Sequence, residues 1–427
     1  MTGTKPTAPV DCYDADPELL PMAEALRRLD AQTESIADVE RVALRDALGR
    51  IAAEPVVSPM DVPGHRNSAM DGFALLADDL PGSGTRRLEV LGTARAGRPF
   101  VGDVPGGCAV RIMTGAVMPE GTDTVIMQEQ VEEHAGADGR GAIVIGEGHR
   151  GGQNVREAGE DVANGDRVLA AGDRILPAEL GLLASLGIAE VAVRRRLRVA
   201  FFSTGDELRS IGEPLALGEV YDSNRYTLYG MLTRLGVDVI DMGVVRDEPG
   251  AVNDAFLEAA RVGDAIISTG GASTGEADYI GETLSHLGEV QFWRIAIRPG
   301  RPIAFGRVAD AMFFGLPGNP VAVMVTFYQF VQPALLRMMG SEEIHPNPTV
   351  RAVCASPLRK KPGRVEVYRA ILGRDGDGRP TVRSTGKSGS GLLHTMSDAN
   401  CFIILPEDGE SVEPGAEVDV QPFFGLT

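Results

Sequence analysis

The sequence predicts a multidomain chain of α/β plus β class: a central three-layer α/β domain with a parallel sheet, a β-rich second domain, and a small β-barrel-like domain at the C-terminus. Three observations carry this expectation. At 427 residues the chain exceeds one ordinary core, because domains run to roughly 100–200 residues. Strand and helix patterns alternate after the basic strip Arg194-Arg195-Arg196, which implies parallel strands with right-handed crossovers. On either side, short apolar runs are separated by glycines and prolines, the pattern of β structure.

Taken in order, residues 1–16 are polar and proline-containing, and the first element begins after Pro21, where Met22, Leu26 and Leu29 fall at i, i+4 and i+7. Leu88 to Leu91 and Thr124 to Met127 read as strands, and Ala178 to Leu186 as a helix. In the alternating region Val199 to Phe202 reads as a strand, Arg225 to Leu235 as a helix with Leu228, Met231, Leu232 and Leu235 on one face, and Val237 to Ile240 as the next strand. Val252, Ala255, Phe256 and Ala259 mark another helix before a strand from Ala265 to Ile267. A helix from Pro320 to about Met339 is expected to kink at Pro333. Val365 to Leu372 and Cys401 to Leu405 belong to the C-terminal β domain.

Composition narrows the function. A net charge of -19 repels nucleic acid in bulk, so an anionic ligand needs clustered cations or a bound metal. Cys12, Cys108, Cys354 and Cys401 form no CxxC pair, which argues against a zinc site or a disulfide framework and fits a reducing, cytoplasmic setting. The N-terminus lacks the pattern of a signal peptide, and the apolar stretch Val321 to Leu336 is interrupted by Gln329, Gln332 and Pro333, so no membrane span is expected. The six histidines are scattered without metal-ligand spacing.

The densest chemistry lies in Ser268-Thr269-Gly270-Gly271-Ala272-Ser273-Thr274-Gly275-Glu276-Ala277-Asp278-Tyr279. Glycines, hydroxyls and two carboxylates follow an apolar strand there, at the edge where open α/β sheets bind ligands. The alternative is a plain glycine-rich turn. Asp206 and Glu207 leave the first strand of the region at the same edge; carboxylates beside an anion loop suit Mg²⁺ bridging to phosphate oxygens, or they cap a polar turn. Asp222-Ser223-Asn224-Arg225 reads as a helix N-cap. Asp247, before Pro249, complements a helix dipole or joins a site.

Arg294, Arg298 and Arg301 lie among prolines and a glycine, and in an extended segment Arg294 and Arg298 share a face. Guanidinium forks suit phosphate or another tetrahedral oxyanion; the alternative is a solvated edge strand. Leu316-Pro317-Gly318-Asn319-Pro320 opens a helix whose free amides could face an anion. Asn67-Ser68-Ala69-Met70-Asp71-Gly72, Arg111-Ile112-Met113-Thr114-Gly115 and Gly386 to Gly391 read singly as turns.

Together and in this order, these stretches resemble the molybdopterin molybdenumtransferase family, called MoeA in bacteria and matched by the C-terminal domain of gephyrin. The likeness covers nearly the whole chain. It implies four domains: 1–52 with 153–196 as an elongated helical linking domain, 53–152 as a β-rich domain, 197–341 as an α/β molybdopterin-binding domain, and 342–427 as a C-terminal β domain. It also implies a homodimer whose active sites lie between subunits. The implied reaction takes adenylylated molybdopterin and molybdate, inserts the metal into the pterin dithiolene and releases AMP with the help of Mg²⁺.

By motif match the family's functional positions fall on Asp71, Thr114, Asp161, Glu207, Asp247 and Asp278. Its substrate positions fall on Ser273, Arg294, Arg298, Arg301, Pro317, Pro320, Arg369 and Ser390. The resemblance gives Glu207, Asp247 and Asp278 to metal and molybdate handling. Relatives commonly carry lysine at the three cationic positions and often at Gly281; here all three are arginine, in a chain whose only lysines are Lys5, Lys360, Lys361 and Lys387. Two other readings compete: adenylyl transfer to molybdopterin, which a compact single domain would perform, and a non-catalytic pterin-binding scaffold. Molybdate and tungstate are not distinguished by these motifs.

Overall fold

The computed structural model describes residues 19–135, 141–270, 283, 284, 286–342, 348–386 and 389–423. The chain divides into two compact units, Met1–Glu40 with Gly49–Ile51 and Val193–Thr427, and Arg41–Leu48 with Ala52–Ala192.

The smaller unit is built on a six-stranded sheet, in the order Thr124–Met127, Gly72–Leu75, Cys108–Ile112, Arg86–Ala94, Ala142–Ile145 and Val131–His134. Its two faces bury Val110, Ile112 and Val125 on one side and Phe73, Leu88, Ile126 and Ile143 on the other. The helix Pro177–Ser185 starts on a proline, and the Glu179 carboxylate accepts the Leu176 N–H at 3.0 Å, which satisfies a donor left over at the helix start.

The larger unit carries a second six-stranded sheet, whose strands we number β1 (Arg198–Thr204), β2 (Asp238–Val245), β3 (Ala265–Thr269), β4 (Gly288–Arg294), β5 (Pro302–Val308) and β6 (Ala311–Leu316). Their order is β2-β1-β3-β6-β5-β4. β2, β1, β3 and β6 run parallel, as the alternating pattern predicts, and β4 runs in the same direction; β5 alone is reversed, pairing antiparallel with both β6 and β4. The cause is local: only Ala309 and Asp310 join β5 to β6, and a two-residue connection returns a strand antiparallel.

Helices α1 (Ser223–Leu235), α2 (Pro249–Val262) and α3 (Pro320–Met338) cover this sheet. On one face Leu228, Leu232 and Val323 pack with Phe201 and Phe314, and on the other Val252 and Phe256 pack with Phe202 and Phe313. α1 begins on Asp222, whose carboxylate accepts the Arg225 N–H at 3.1 Å, and ends at Gly236 with φ +88°, a left-handed cap that favours glycine. α3 widens into a π turn over Phe327–Val331, just before Pro333. Pro333 brings no N–H to the helical ladder, and the turn absorbs that gap. Although α3 is long and apolar enough to cross a membrane by composition, 78% of its most apolar window is buried inside the protein.

The C-terminal strands Val350–Cys354, Val365–Arg374, Pro380–Ser384, Cys401–Leu405 and Glu417–Pro422 close into a five-stranded barrel, because Val365–Arg374 pairs with both Pro380–Ser384 and Cys401–Leu405. Even-numbered Ala370 with Ile403 and Cys401 face the barrel core, while Val365, Val367 and Phe402 pack into the cluster containing α3. A short strand from the α/β region, Ile297–Arg298, adds to Val365–Glu366 in parallel register.

Candidate active site

In the β2-β1-β3 order, β1 is followed by β2 on one side and β3 on the other, so the chain's direction of winding reverses between β1 and β3. The carboxyl ends of such strands splay apart and leave a crevice. The crevice floor here is backbone. The Thr204 hydroxyl donates to Thr269 O at 3.3 Å, and the Gly270 N–H donates to Leu316 O at 3.3 Å. Gly270 has φ +99°, and a Cβ there would lie 2.3 Å from Thr204 O; no other residue fits. Gly318 packs on Gly270, with 3.6 Å between the place of its missing Cβ and the Gly270 Cα.

Asn224 completes this floor. Its side-chain amide donates to Gly318 O at 2.7 Å across 94 residues, while its Oδ1 is buried without a hydrogen-bond partner among the described residues. The sequence reading made this segment an N-cap, which holds for Asp222; Asn224 instead ties α1 to the loop that opens α3. Its only sequence signal was its place at a helix start after a strand.

Carboxylates gather at the β1 and β2 ends. Asp206 Oδ1 accepts the Asp247 N–H at 3.3 Å. Burial, then the Asp206 and Glu207 charges, push the Asp247 carboxyl above its ordinary value, the direction that like charges in a partly desolvated site impose. Beside them is a polar cavity of about 720 Å³, lined in part by Asp206, Arg209, Arg225 and Arg246. Arg209 is tied to Glu219 and Arg225 to Asp241, the latter at 2.7 Å, whereas Arg246 has no partner among the described residues. Nothing in the sequence alone assigns Arg246 a role.

The other end of the crevice is the start of α3. Pro317 is buried, Pro320 occupies the first turn, and the Val321 N–H donates to Ser390 O at 3.0 Å. Arg369, 4% exposed, donates to Thr395 Oγ1 at 3.0 Å and to Gly389 O at 3.3 Å. Thus Pro317, Pro320, Arg369 and Ser390, which span 74 positions of sequence from 317 to 390, meet at one seam between helix and barrel.

The arginines depart from the expected arrangement. Arg294 ends β4, the chain bends at Ala296, and Arg298 enters the other sheet. The two therefore do not share the face of one extended strand: the Ile295 N–H donates to Arg301 O at 2.9 Å and closes residues 294–302 into a loop. That loop rests on α3, where a Cβ on Gly300 would lie 2.5 Å from Thr326 Cγ2. Arg298 stands next to Glu366 in register, and strand alternation puts Glu366 on the opposite face from Arg369.

Asp71, Thr114 and Asp161 belong to the smaller unit. Asp71 Oδ1 accepts both the N–H (2.7 Å) and the hydroxyl (2.8 Å) of Thr114, bonds that hold its carboxyl below the usual range. Asp161 is exposed, with its N–H donating to Val62 O at 3.0 Å. Ser273, Asp278 and Gly281 lie outside the described residues.

Residues 20–187 match the MoeA N-terminal region (domain I and II), 200–337 a probable molybdopterin binding domain, and 351–423 the MoeA C-terminal region (domain IV). The chain is 43% identical over 408 residues to a molybdopterin molybdenumtransferase of Haemophilus influenzae, covering 96% of this chain and 100% of that protein. The chain belongs to the molybdopterin molybdenumtransferase family. A Bacillus subtilis member of the family is 32% identical, covering 94% of this chain and 93% of its own. The solved structure of the molybdopterin biosynthesis MoeA protein from Pyrococcus horikoshii OT3 superposes with a TM-score of 0.82 at 30% identity, covering 95% of this chain and 100% of that one. The match to the probable molybdopterin binding domain, residues 200–337, spans the strands that form the crevice.

Proposed function

We propose that this chain inserts molybdenum from molybdate into the dithiolene of adenylylated molybdopterin and releases AMP. The observation that carries the reading is the crevice itself: carboxylates at the β1 and β2 ends, helix-opening amides and the Arg369 seam at the other, and a glycine floor between them that admits close backbone approach. A long anionic substrate with a phosphate-rich end matches such a layout, and a cavity of about 720 Å³ beside the carboxylates falls in the usual range for small-molecule sites.

The residues do defined work in this scheme. Amides at the start of α3 other than the Val321 N–H, which Ser390 O occupies, and the Arg369 side of the seam orient oxyanion oxygens. Asn224 fixes the loop that presents those amides. Arg246, at the cavity wall, is suited to a phosphate of the adenylyl group. Glu207 and Asp247, with Asp278 as the motif resemblance implies, would supply the oxygen donors that Mg²⁺ prefers, and the raised Asp247 carboxyl fits a place where a cation relieves repulsion. Among the described residues no three such groups converge as a closed metal cage; Mg²⁺ commonly keeps waters and substrate phosphates as its remaining ligands. When bound, Mg²⁺ supplies charge neutralisation at the phosphoanhydride that is cleaved.

The same reading makes the chain a homodimer of four-domain subunits, in which Asp71, Thr114 and Asp161 serve a site shared between subunits. Light scattering of purified protein tests the dimer. Purified protein given adenylylated molybdopterin, molybdate and Mg²⁺ is expected to release AMP in a molybdate-dependent way, and Glu207→Ala to abolish it. Tight pterin binding without turnover overturns the reading in favour of a carrier or scaffold; ATP consumption with pyrophosphate release and adenylylation, when the protein is given molybdopterin and ATP instead, favours an adenylyltransferase.

A further inference from the structure

The strand Val365–Arg374 raises a question that the seam does not answer. Glu366 and Tyr368 are spaced by two within the strand and share a face, and Arg364 stands in the bend that leads into it. Parallel register then brings Arg298 of the cation loop beside Glu366. The result is a buried carboxylate, 6% exposed at its side chain, with Arg364 Nε 3.6 Å and Arg298 NH1 3.9 Å from the same oxygen, Oε1. Its other oxygen, Oε2, lies 2.9 Å from the Tyr368 hydroxyl, which also reaches Arg359 O.

A buried carboxylate is ordinarily held by close, bidentate guanidinium bonds. Here both guanidiniums stand just beyond hydrogen-bond length from one oxygen. Each carries five N–H donors, so two forks shared by one carboxylate leave a surplus of donors and one net positive charge. Arg298 is also the more exposed of the two, at 54% against 22% for Arg364. The structure therefore holds two planar cations side by side with most of their donors uncommitted to Glu366.

We propose that Glu366 is a positioning residue that sets Arg298 and Arg364 as a paired fork for a tetrahedral oxyanion, and that Arg364 is a cation of this site alongside the three arginines of the 294–301 loop. This deepens the transferase reading and rests on it for the identity of the anion, either free molybdate or the terminal phosphate of the pterin substrate. A planar fork needs its orientation fixed, and a buried carboxylate in the neighbouring strand fixes it.

The test uses the full-length protein. Molybdate and, separately, inorganic phosphate are titrated calorimetrically into the wild type, Arg364→Gln, Glu366→Gln and Glu366→Asp, and steady-state AMP release is measured for each. Losing one charged fork is expected to raise the molybdate Kd and KM about tenfold in Arg364→Gln and Glu366→Gln, with kcat changed about twofold or less and Glu366→Asp recovering part of the loss. A rise confined to the KM of adenylylated molybdopterin supports the pair and assigns it to the pterin phosphate. Unchanged oxyanion Kd and unchanged KM for both substrates in Arg364→Gln overturn the proposal, even if the variant melts at a lower temperature. Should Glu366→Gln fail to fold, Arg364→Gln decides alone. Absence of AMP release by the wild type overturns the transferase reading but leaves the calorimetric comparison able to decide the role of Glu366.

Discussion

The Val321 N–H donates to the carbonyl oxygen of Ser390 at 3.0 Å, so the first turn of α3 is capped by the glycine-rich loop of the barrel. That loop is itself held by Arg369 through Gly389 O and Thr395 Oγ1. The α3 end of the crevice thus depends on the Arg369 side chain, which holds the loop that caps the helix.

Thr395→Val tests this dependence. It leaves the Arg369 Nε–H without its acceptor in a buried site, and the expected loss of stability is about 1–3 kcal/mol. Arg369→Lys is expected to fail as a rescue, because a point charge cannot reach Thr395 and Gly389 together as a fork does. Urea unfolding gives the first result, and AMP release with each variant gives the second.

The two floor glycines separate cleanly. A Cβ on Gly270 meets Thr204 O at 2.3 Å at a φ of +99°, whereas a Cβ on Gly318 finds its nearest neighbour at 3.6 Å. Gly270→Ala is expected to lose roughly 3 kcal/mol or more, adding overpacking to backbone strain. Gly318→Ala is expected to stay within about 1 kcal/mol of wild type. Denaturant midpoints of the two variants check the contrast, and equal midpoints would contradict it.

Asp247 carries a pH signature. Its folded carboxyl is raised by burial and by Asp206 and Glu207, so the folded state holds its proton more tightly than the unfolded chain does. Wild-type stability is then penalised above the folded value, and the penalty disappears as pH falls below the unfolded value of about 3.9. Asp247→Asn is expected to melt higher than wild type at neutral pH without divalent cations, to lose that advantage in acid, and to lose AMP release. Thermal melts across pH, with and without Mg²⁺, measure this; a variant that melts lower at neutral pH would refute it.

Lys360 is one of four lysines in a chain that otherwise uses arginine. Its ammonium, 6% exposed as a residue, donates to Lys361 O (3.3 Å), Glu407 O (3.1 Å) and Gly409 O (2.8 Å). Three acceptors disposed around one nitrogen suit a compact ammonium and not a planar fork. Lys360→Arg is expected to cost about 1–3 kcal/mol through unmet carbonyls and overpacking, read by denaturant unfolding.

Much of the fold was legible because period-two and helical patterns are local. The stripe Leu228, Met231, Leu232 and Leu235 gave α1, and the alternating region gave the parallel strands. The reversed β5 was not legible, since its direction is set by the short Ala309-Asp310 turn between two apolar runs. The site was legible as residue types and as a family resemblance, which supplied Glu207, Asp247, Arg369 and Ser390. What escaped was pairing over distance. Nothing in the strip Trp293 to Pro302 announces that the chain bends at Ala296 and hands Arg298 to another sheet, and nothing beside Asn224 announces Gly318. Such partners are fixed by topology, and sequence spacing carries no record of it.

The crevice floor has an evolutionary consequence. Where Gly270 and Thr204 meet, backbone packs on backbone with no room for a side chain, so mutation has almost nothing to work on there. Change in what the crevice accepts is then left to its rim, at positions such as Arg246. A deep part that cannot drift and a border that can is a division favouring divergence in substrate preference without loss of the ancestral reaction.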